Sequence, residues 1–272
     1  MLFMLNNKKR FEKICRDIKS IKIQGARNVA LAGLEAYRIF PIEKNKRKIL
    51  SLRPTEPFLL NVLRQADSLT VKELKEKLEK NQGIISKEVF NLLKNKDVVF
   101  THCHSSTVVE ALIYSKKKGK KFEVYLTETR PLYQGRKTAQ ELRKAGIKVT
   151  LFVDSAGAIA LGNEQGTKKA SLVLLGADAV TRKGTINKVG SGMFAQIAKY
   201  NKIPVYILAD SMKYIKKIKL EKRPPEEIWD NKKIRIANFA FELIKKKYIK
   251  GVISELGLLP YRKFIKRARK GH

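Results

Sequence analysis

The chain has 272 residues, of which 59 are Lys or Arg and 25 are Asp or Glu, so its formal net charge is +34. Hydrophobic residues make up 43% of it, which is enough to form a core and excludes intrinsic disorder. The positive charge is typical of proteins with phosphate-rich partners, nucleic acids among them, but it does not determine the fold.

No apolar run approaches the roughly 20 residues of a membrane-spanning helix, so no membrane partner is expected. The apolar start, 1–5, is too short for a secretory signal. The cysteines Cys15 and Cys103 are far apart and form no CxxC motif, so neither a disulfide nor a structural zinc site is expected. These features predict a cytoplasmic protein.

Up to about Lys96, apolar residues recur at the spacing of amphipathic helices. The spacing is carried by Phe11, Ile14, Cys15 and Ile18, by Val29, Leu31, Leu34 and Tyr37, and by Val71, Leu74, Leu78, Ile84, Val89, Leu92 and Leu93. The segment 81–83 (NQG) predicts that one helix ends there and a new one starts. We therefore expect a helical N-terminal domain over residues 1–96.

From Val98 onward, short β-branched apolar runs alternate with amphipathic stretches. The runs predict strands over 98–100, 122–126, 149–153, 172–175, 205–208 and 252–254, and the stretches predict helices over 107–118, 138–145, 156–161 and 193–200. Continuous apolar runs are typical of parallel strands buried on both faces. The pattern predicts a doubly wound α/β domain over residues 97–272, with its site at the carboxyl ends of the strands.

The first predicted strand leads into 101–107 (THCHSST), a polar segment at a helix start. Such a start binds phosphate through backbone N–H groups and lowers the pKa of a nearby thiol. Cys103 is therefore a candidate reactive thiol, although a lone cysteine is more often a small buried hydrophobe. His102 and His104 could ligate a metal, but the third histidine is the terminal His272, so no metal site is expected.

Polar residues also follow the next two predicted strands. The loop 127–135 (TETRPLYQG) carries Glu128, Arg130 and Gln134, and a surface ion pair between the first two is the simpler interpretation. Asp154 follows the third strand and can equally be a helix N-cap with no further role.

Asp178 follows the fourth predicted strand and is either a candidate acid or another capping carboxylate. Lys188 lies beside a helix start and Lys213 follows the fifth strand, so both can direct an ammonium group at an anion. In the helical region, 24–27 and 52–55 place small or basic residues at helix starts. A thiol, a carboxylate and several cations predict acid–base chemistry on a phosphorylated small molecule.

Four segments, 127–135 (TETRPLYQG), 175–178 (LGAD), 186–190 (INKVG) and 209–214 (ADSMKY), resemble a known family. It unites methylthioribose-1-phosphate isomerase, archaeal ribose-1,5-bisphosphate isomerase and the alpha, beta and delta subunits of eukaryotic translation initiation factor 2B. The likeness spans most of the chain and implies a helical N-terminal part followed by a Rossmann-like C-terminal part.

The resemblance also implies roles for individual residues. The isomerases carry a cysteine and an aspartate that match Cys103 and Asp178, whereas the initiation-factor subunits typically lack the thiol. The segment 101–105 (THCHS) resembles the ribose-1,5-bisphosphate isomerase version. Substrate-binding positions implied by the motifs are Gly25, Ala26, Arg27, Arg53, Ser105, Gln134, Asn187, Lys188 and Lys213. Gln24 replaces an arginine that the isomerases usually have, and Arg27 could substitute for it.

By this resemblance, the expected reaction converts ribose 1,5-bisphosphate into ribulose 1,5-bisphosphate, with Cys103 as base at C2 and Asp178 as acid at the ring oxygen. The pair would need a thiolate, favoured by the helix start and nearby cations, and an aspartic acid that keeps its proton in an apolar site. No cofactor is implied, and a homo-oligomer, dimer or hexamer, is expected.

Three alternatives stay open: a methylthioribose-1-phosphate isomerase, a non-catalytic initiation-factor-like subunit, and a nucleic-acid binder. The last rests on the basic runs 44–48, 116–121, 213–223 and 262–270. A solvated lysine-rich surface explains these runs, since no stacking-aromatic motif or known nucleic-acid-binding fold accompanies them. Nucleic acid is therefore not expected as a partner.

Overall fold

The computed structural model describes residues 2–220 and 222–271. The chain before residue 97 is helical, as predicted, and forms α1 (Leu2–Lys19), α2 (Ala26–Ile39), α3 (Glu43–Leu52), α4 (Pro57–Arg64) and α5 (Val71–Leu92). Apolar faces of α1 to α4 and the first half of α5 share one core. Within the described ranges, no helix has the length and apolarity needed to span a membrane.

Helix α5 runs unbroken through the segment 81–83, so the predicted helix end there is wrong. The side chain of Asn81 donates to Asp210 (2.6 Å), and that of Gln82 donates to the carbonyl of Thr107 (3.2 Å). These polar side chains are therefore used in tertiary contacts and do not compete with the helix backbone. Gly83 costs the helix only about 1 kcal/mol, which this packing overrides.

The second part of the chain alternates strands with helices. Its elements are β1 (Val98–Thr101), α6 (Ser106–Lys117), β2 (Glu123–Thr127), α7 (Gln134–Lys144), β3 (Lys148–Phe152), α8 (Gly157–Gly162), β4 (Leu172–Leu175), β5 (Ala179–Val180), β6 (Gly184–Lys188), α9 (Ser191–Tyr200), β7 (Val205–Leu208), β8 (Phe241–Lys245), β9 (Gly251–Ser254), β10 (Gly257–Leu259) and α10 (Tyr261–Ala268). In the described ranges, a seven-stranded sheet has the order β10-β9-β7-β4-β1-β2-β3, parallel except for β10.

Helices cover both faces of this sheet, which confirms the doubly wound α/β prediction. Phe100 on β1 packs in one core with residues of α8, α9 and α10, and the adjacent Val99 packs in the other core with residues of α5, α6 and α7. The edge strand β3 departs from the predicted burial on both faces, because it has only one neighbour and Leu151 is 43% exposed.

Helix α5 takes part in two cores. Leu74 and Leu78 pack with the other N-terminal helices, whereas Ile85 and Val89 pack against the sheet. A division into domains at residues 96 and 97 follows the change in secondary structure and remains a proposal.

A small antiparallel sheet, β5-β6-β8, was not expected from the sequence. Its strands are short, and β6 pairs with β8 across more than fifty residues of chain, as in Asn187 opposite Glu242. The backbone N–H of Asp178 donates to the carbonyl of Ile186 on β6 (2.9 Å). The small sheet thereby places Asp178, at its start, near Lys188, at the end of β6.

A glycine substitution tests the continuity of α5. Nothing lies within 4 Å of a Cβ built on Gly83. We expect Gly83→Ala to raise the free energy of unfolding by about 0.5–1 kcal/mol, measured by urea denaturation, because alanine favours a helix interior. The matched control, Gly157→Ala, should lower it, because its Cβ would lie 2.4 Å from Cε1 of Phe194. A loss of stability in Gly83→Ala would contradict a continuous helix.

Candidate active site

A cleft of about 160 Å³ lies between the helical region and the carboxyl ends of the central strands. It is lined by every residue proposed above for catalysis or substrate binding: Gly25, Ala26, Arg27, Arg53, Cys103, Ser105, Gln134, Asp178, Asn187, Lys188 and Lys213. The fold thus brings these residues together, while the roles assigned to them remain predictions.

Cys103 follows β1 in the turn before α6. The side chain of Ser105 caps that helix by accepting the N–H of Val108 (3.5 Å). Burial raises the pKa of the Cys103 thiol to about 11, although the charge of Lys188 opposes the change. This direction is opposite to that of the thiolate expected at this helix start, because desolvation of the charged form outweighs the nearby cation.

Lys213 is a buried cation of the cleft, only 6% exposed. Its ammonium group donates to the carbonyl of Ala177 (2.5 Å), the residue before Asp178. Burial lowers the pKa of Lys213, and the negative charges of Asp178, Glu56 and Asp210 oppose that shift. The candidate acid and a buried cation are therefore neighbours.

Arg27 and Arg53, two of the arginines that line the cleft, are each paired with a carboxylate. Arg27 donates from Nη1 to the two carboxylate oxygens of Glu110 (3.0 Å each), and Arg53 donates to Glu56 (3.2 Å) in a buried pair. Gln24 also lines the cleft. The isomerases usually have an arginine at the position of Gln24. If Arg27 binds phosphate in its place, the guanidinium must either contact the phosphate and Glu110 together or release Glu110.

Four further residues line the cleft: Gly25, Gln134, Asn187 and Lys188. Gly25 has the left-handed φ of 83° that glycine accepts readily, and it precedes the first turn of α2 at Ala26. Gln134 begins α7, and its buried Oε1 has no hydrogen-bond partner within the described ranges. On the opposite wall, Asn187 donates to Ser191 (2.9 Å) and the ammonium group of Lys188 lies 5.3 Å from the ring centroid of Phe241.

His102 has a structural role. One ring nitrogen, Nε2, donates to the carbonyl of Val189 (2.9 Å), and the other, Nδ1, accepts the hydroxyl of Thr127 (2.6 Å). Burial lowers the pKa of His102 to about 4, so the ring is neutral at pH 7. It joins β1 and β2 to the turn before α9.

His104 lines the cleft as a neutral imidazole of defined tautomer. The single hydroxyl hydrogen of Thr138 is donated to the carbonyl of Cys103 (3.0 Å), so His104 must donate its Nδ1–H to Thr138 Oγ1 (3.0 Å). Burial lowers the pKa of His104. Within residues 2–220 and 222–271, no group of three or more His, Cys, Asp or Glu is placed to hold a metal, and His272 lies outside the described residues.

Two of the simpler alternatives left open for the polar residues after β2 and β3 do not match the structure. Glu128 pairs with Arg136 on α7 (2.7 Å) and not with Arg130. The carboxylate of Asp154 is not a helix N-cap, because it accepts the backbone N–H groups of Thr129 (2.9 Å) and Arg130 (2.6 Å) from the neighbouring loop.

The cleft also contains residues that sequence reasoning missed, among them Glu56, Lys137, Arg223 and Phe241. Arg223 ends a basic run that was interpreted as solvated surface, and nothing in the run distinguishes it from its exposed neighbours. Phe241 begins the unexpected strand β8.

Comparison with known proteins identifies the family. The model of the Initiation factor 2 subunit family matches residues 23–261. The chain belongs to this family. The fold resembles that of a protein of known structure: the translation initiation factor eIF-2B of Pyrococcus horikoshii superposes with a TM-score of 0.82 at 27% identity, over 94% of this chain and 98% of that one.

Two relatives within the family carry different names. A ribose 1,5-bisphosphate isomerase of Methanocaldococcus jannaschii is 31% identical over 96% of this chain and 94% of its own length. A protein of Pyrococcus furiosus, named as eIF-2B subunit 2-like, is 32% identical over 91% of this chain and 95% of its own length. Because overall identity does not separate the two, the residues in the cleft must decide the function within the family.

The raised thiol pKa is testable directly. We expect alkylation of Cys103 by iodoacetamide to accelerate about tenfold per pH unit from pH 7 to above pH 9, because only the thiolate reacts and its pKa is about 11. Peptide mass spectrometry separates this thiol from Cys15, which is buried. A plateau below pH 8 would show a thiolate that the cleft stabilises.

Proposed function

We propose that this chain is an aldose–ketose isomerase that converts ribose 1,5-bisphosphate into ribulose 1,5-bisphosphate. The observation that carries the proposal is that Cys103 and Asp178 line the same cleft as Lys188, Lys213 and Arg53. A thiol and a carboxyl group provide two sites for proton transfer, and the cations can hold phosphate by charge-assisted hydrogen bonds.

The structure of the substrate determines what the first step must achieve, namely opening of the ring. Its C1 oxygen carries phosphate, so the ring cannot open unaided. Cys103, as thiolate, takes the proton from C2, and the electrons of that bond form a C1=C2 double bond as the bond from C1 to the ring oxygen breaks. Asp178 gives its proton to the ring oxygen. The product of this step is an open-chain enol phosphate.

The second step returns both groups to their starting states. The Cys103 thiol gives its proton to C1, and the Asp178 carboxylate takes the proton of the C2 hydroxyl as the ketone forms. Protons removed and added therefore balance, and the residues need no external acid or base. Near neutral pH only a small fraction of Cys103 is ionised, so turnover should rise with pH until another group limits it.

The positions of the cations suggest how the two phosphates are held. Lys188, at the end of β6, and Lys213, in the turn after β7, lie on the wall that carries Asp178, while Arg53 and the start of α2 at Gly25 lie on the helical wall. Backbone N–H groups at a helix start and charged side chains are the usual ligands of phosphate. We assign one phosphate to each wall.

Two alternative functions fit the residues of the cleft less well. A non-catalytic factor-like subunit has no need of a thiol beside a carboxylate, and both are present in the cleft as Cys103 and Asp178. Methylthioribose 1-phosphate would leave the second group of cations without a phosphate.

The cytoplasm is proposed as the site of reaction, where Cys15 and Cys103 stay reduced. A homo-oligomer, dimer or hexamer, is proposed as the active form.

Turnover and its loss on substitution test the catalytic pair. Purified protein given ribose 1,5-bisphosphate should form ribulose 1,5-bisphosphate, and Cys103→Ser and Asp178→Asn should each reduce kcat by at least roughly 100-fold, because each removes a proton-transfer group. Cys15→Ala is the matched control, since Cys15 packs in the helical core away from the cleft. Normal turnover by Cys103→Ser would contradict the assignment.

A comparison of substrates tests the class of sugar. We expect kcat/KM for ribose 1,5-bisphosphate to exceed that for methylthioribose 1-phosphate by at least about 100-fold, because a lost charge-assisted phosphate contact costs roughly 1.5–3 kcal/mol per hydrogen bond. Initial rates with each compound measure this. The opposite preference would favour the methylthioribose enzyme, and no turnover of either, with retention of initiation factor 2 from a lysate, would favour the factor-like subunit.

A further inference from the structure

The turn that carries Cys103 is held in an uncommon backbone conformation. Cys103 has a φ of 68°, and Thr129 in the neighbouring loop has a φ of 65°. Residues other than glycine rarely adopt this left-handed region, and a β-branched residue such as threonine is a clear outlier there. Such residues persist only where the surroundings fix them, and they cluster at functional sites. The contacts around Cys103 show what fixes it.

Two threonine hydroxyls bind the two polar backbone groups of Cys103. The N–H of Cys103 donates to Thr129 Oγ1 (3.0 Å), and the hydroxyl of Thr138 donates to the carbonyl of Cys103 (3.0 Å). Both threonines are buried, with exposures of 0% and 1%. The backbone of the candidate base is therefore held from the β2 loop on one side and from α7 on the other.

The threonines are themselves fixed by polar contacts. The carboxylate of Asp154 accepts the N–H groups of Thr129 and Arg130, which anchors the left-handed residue of the loop. The hydroxyl of Thr129 also donates to the carbonyl of Thr127 at the end of β2 (3.3 Å). Thr138 Oγ1 accepts from His104, so each hydroxyl both donates and accepts. Such fully used hydroxyls leave little freedom of rotation.

We propose that Thr129 and Thr138 are positioning residues that hold Cys103 in its left-handed conformation and so direct its sulfur at the substrate carbon. The role rests on the proposed function, because it assumes that Cys103 is the base. Neither threonine need touch the substrate, since both act through the Cys103 backbone. Asp154 supports the same arrangement indirectly, because its carboxylate accepts the backbone N–H of Thr129.

Substitution by valine and by serine separates the hydroxyl from the shape of the side chain. Valine keeps the branched shape and removes the hydrogen bonds, whereas serine keeps the hydroxyl. We expect Thr129→Val and Thr138→Val to lower kcat by roughly 10- to 100-fold with KM changed less than about threefold, because a small misplacement of a reacting group reduces rate more than binding. Thr129→Ser and Thr138→Ser should stay within about threefold of wild type.

Alkylation of Cys103 by iodoacetamide at pH 8 is a readout that does not need turnover. Release of the turn should let water reach the sulfur, which lowers the cost of ionisation, so each valine variant should react at least about fivefold faster than wild type and each serine variant should not. Thr167→Val is the matched control: this hydroxyl also donates to backbone carbonyls (Ile159, 2.9 Å; Glu164, 2.8 Å), but it does not line the cleft.

The outcomes separate the two proposals. If wild type does not turn over ribose 1,5-bisphosphate, the proposed function fails and the alkylation rates alone decide the positioning role. Valine variants with wild-type kcat and alkylation rate would overturn the positioning role while leaving the isomerase proposal intact. Equal losses in the valine and serine variants would overturn it too, because the hydroxyls would then not be responsible. If circular dichroism shows that one valine variant is unfolded, the serine variant at the same position and both variants of the other threonine test the positioning role.

Discussion

The turn 210–214 after β7 is the constraint on which the assembly of the cleft depends. The carboxylate of Asp210, the first residue of the turn, accepts from the side chain of Asn81 on α5. The side chain of Asn61 on α4 donates to the carbonyls of Met212 (2.6 Å) and Tyr214 (3.0 Å). Met212 packs in the helical core, so the turn fastens the helical region to the sheet. The same turn buries Lys213, and a buried ammonium is tolerated only with opposite charges and acceptors close by. The turn that docks the helical region onto the sheet therefore also places Lys213 in the cleft.

The parts of the fold that could be predicted are those whose signal is local. The central strands are short β-branched runs because each is buried on both faces, and this leaves a pattern readable within five residues. The small sheet leaves no such pattern, since β5 has two residues and β6 finds its partner β8 far along the chain. The helix end predicted at 81–83 was wrong for the same reason. The side chains of Asn81 and Gln82 have hydrogen-bond partners 129 and 25 residues away along the chain, which the local sequence does not reveal.

The place of the cleft could be predicted, but the chemical state of its groups could not. Parallel strands gather their carboxyl ends at one edge, so Cys103 and Asp178 were expected close together before any contact was known. The thiol pKa depends on how much water and charge surround the sulfur, and these come from several elements at once. Asp154 shows the same limit. Its position after a strand suggests a cap, yet its contacts lie with the backbone of the loop after β2.

The net charge of +34 attracts anionic substrates but cannot by itself select one. Inside the cleft, Arg27 is paired with Glu110 and Arg53 with Glu56, so these cations meet a phosphate only by sharing or exchanging a partner. Lys188 has no ion-pair partner within the described ranges, and its charge is the one that most lowers the pKa of Cys103. A phosphate bound to Lys188 would weaken that support for the thiolate. Because the C1 phosphate is carried by the carbon next to C2, where Cys103 acts, Lys188 must serve both anions, and Lys213 on the same wall supplies part of the charge that binds the dianion.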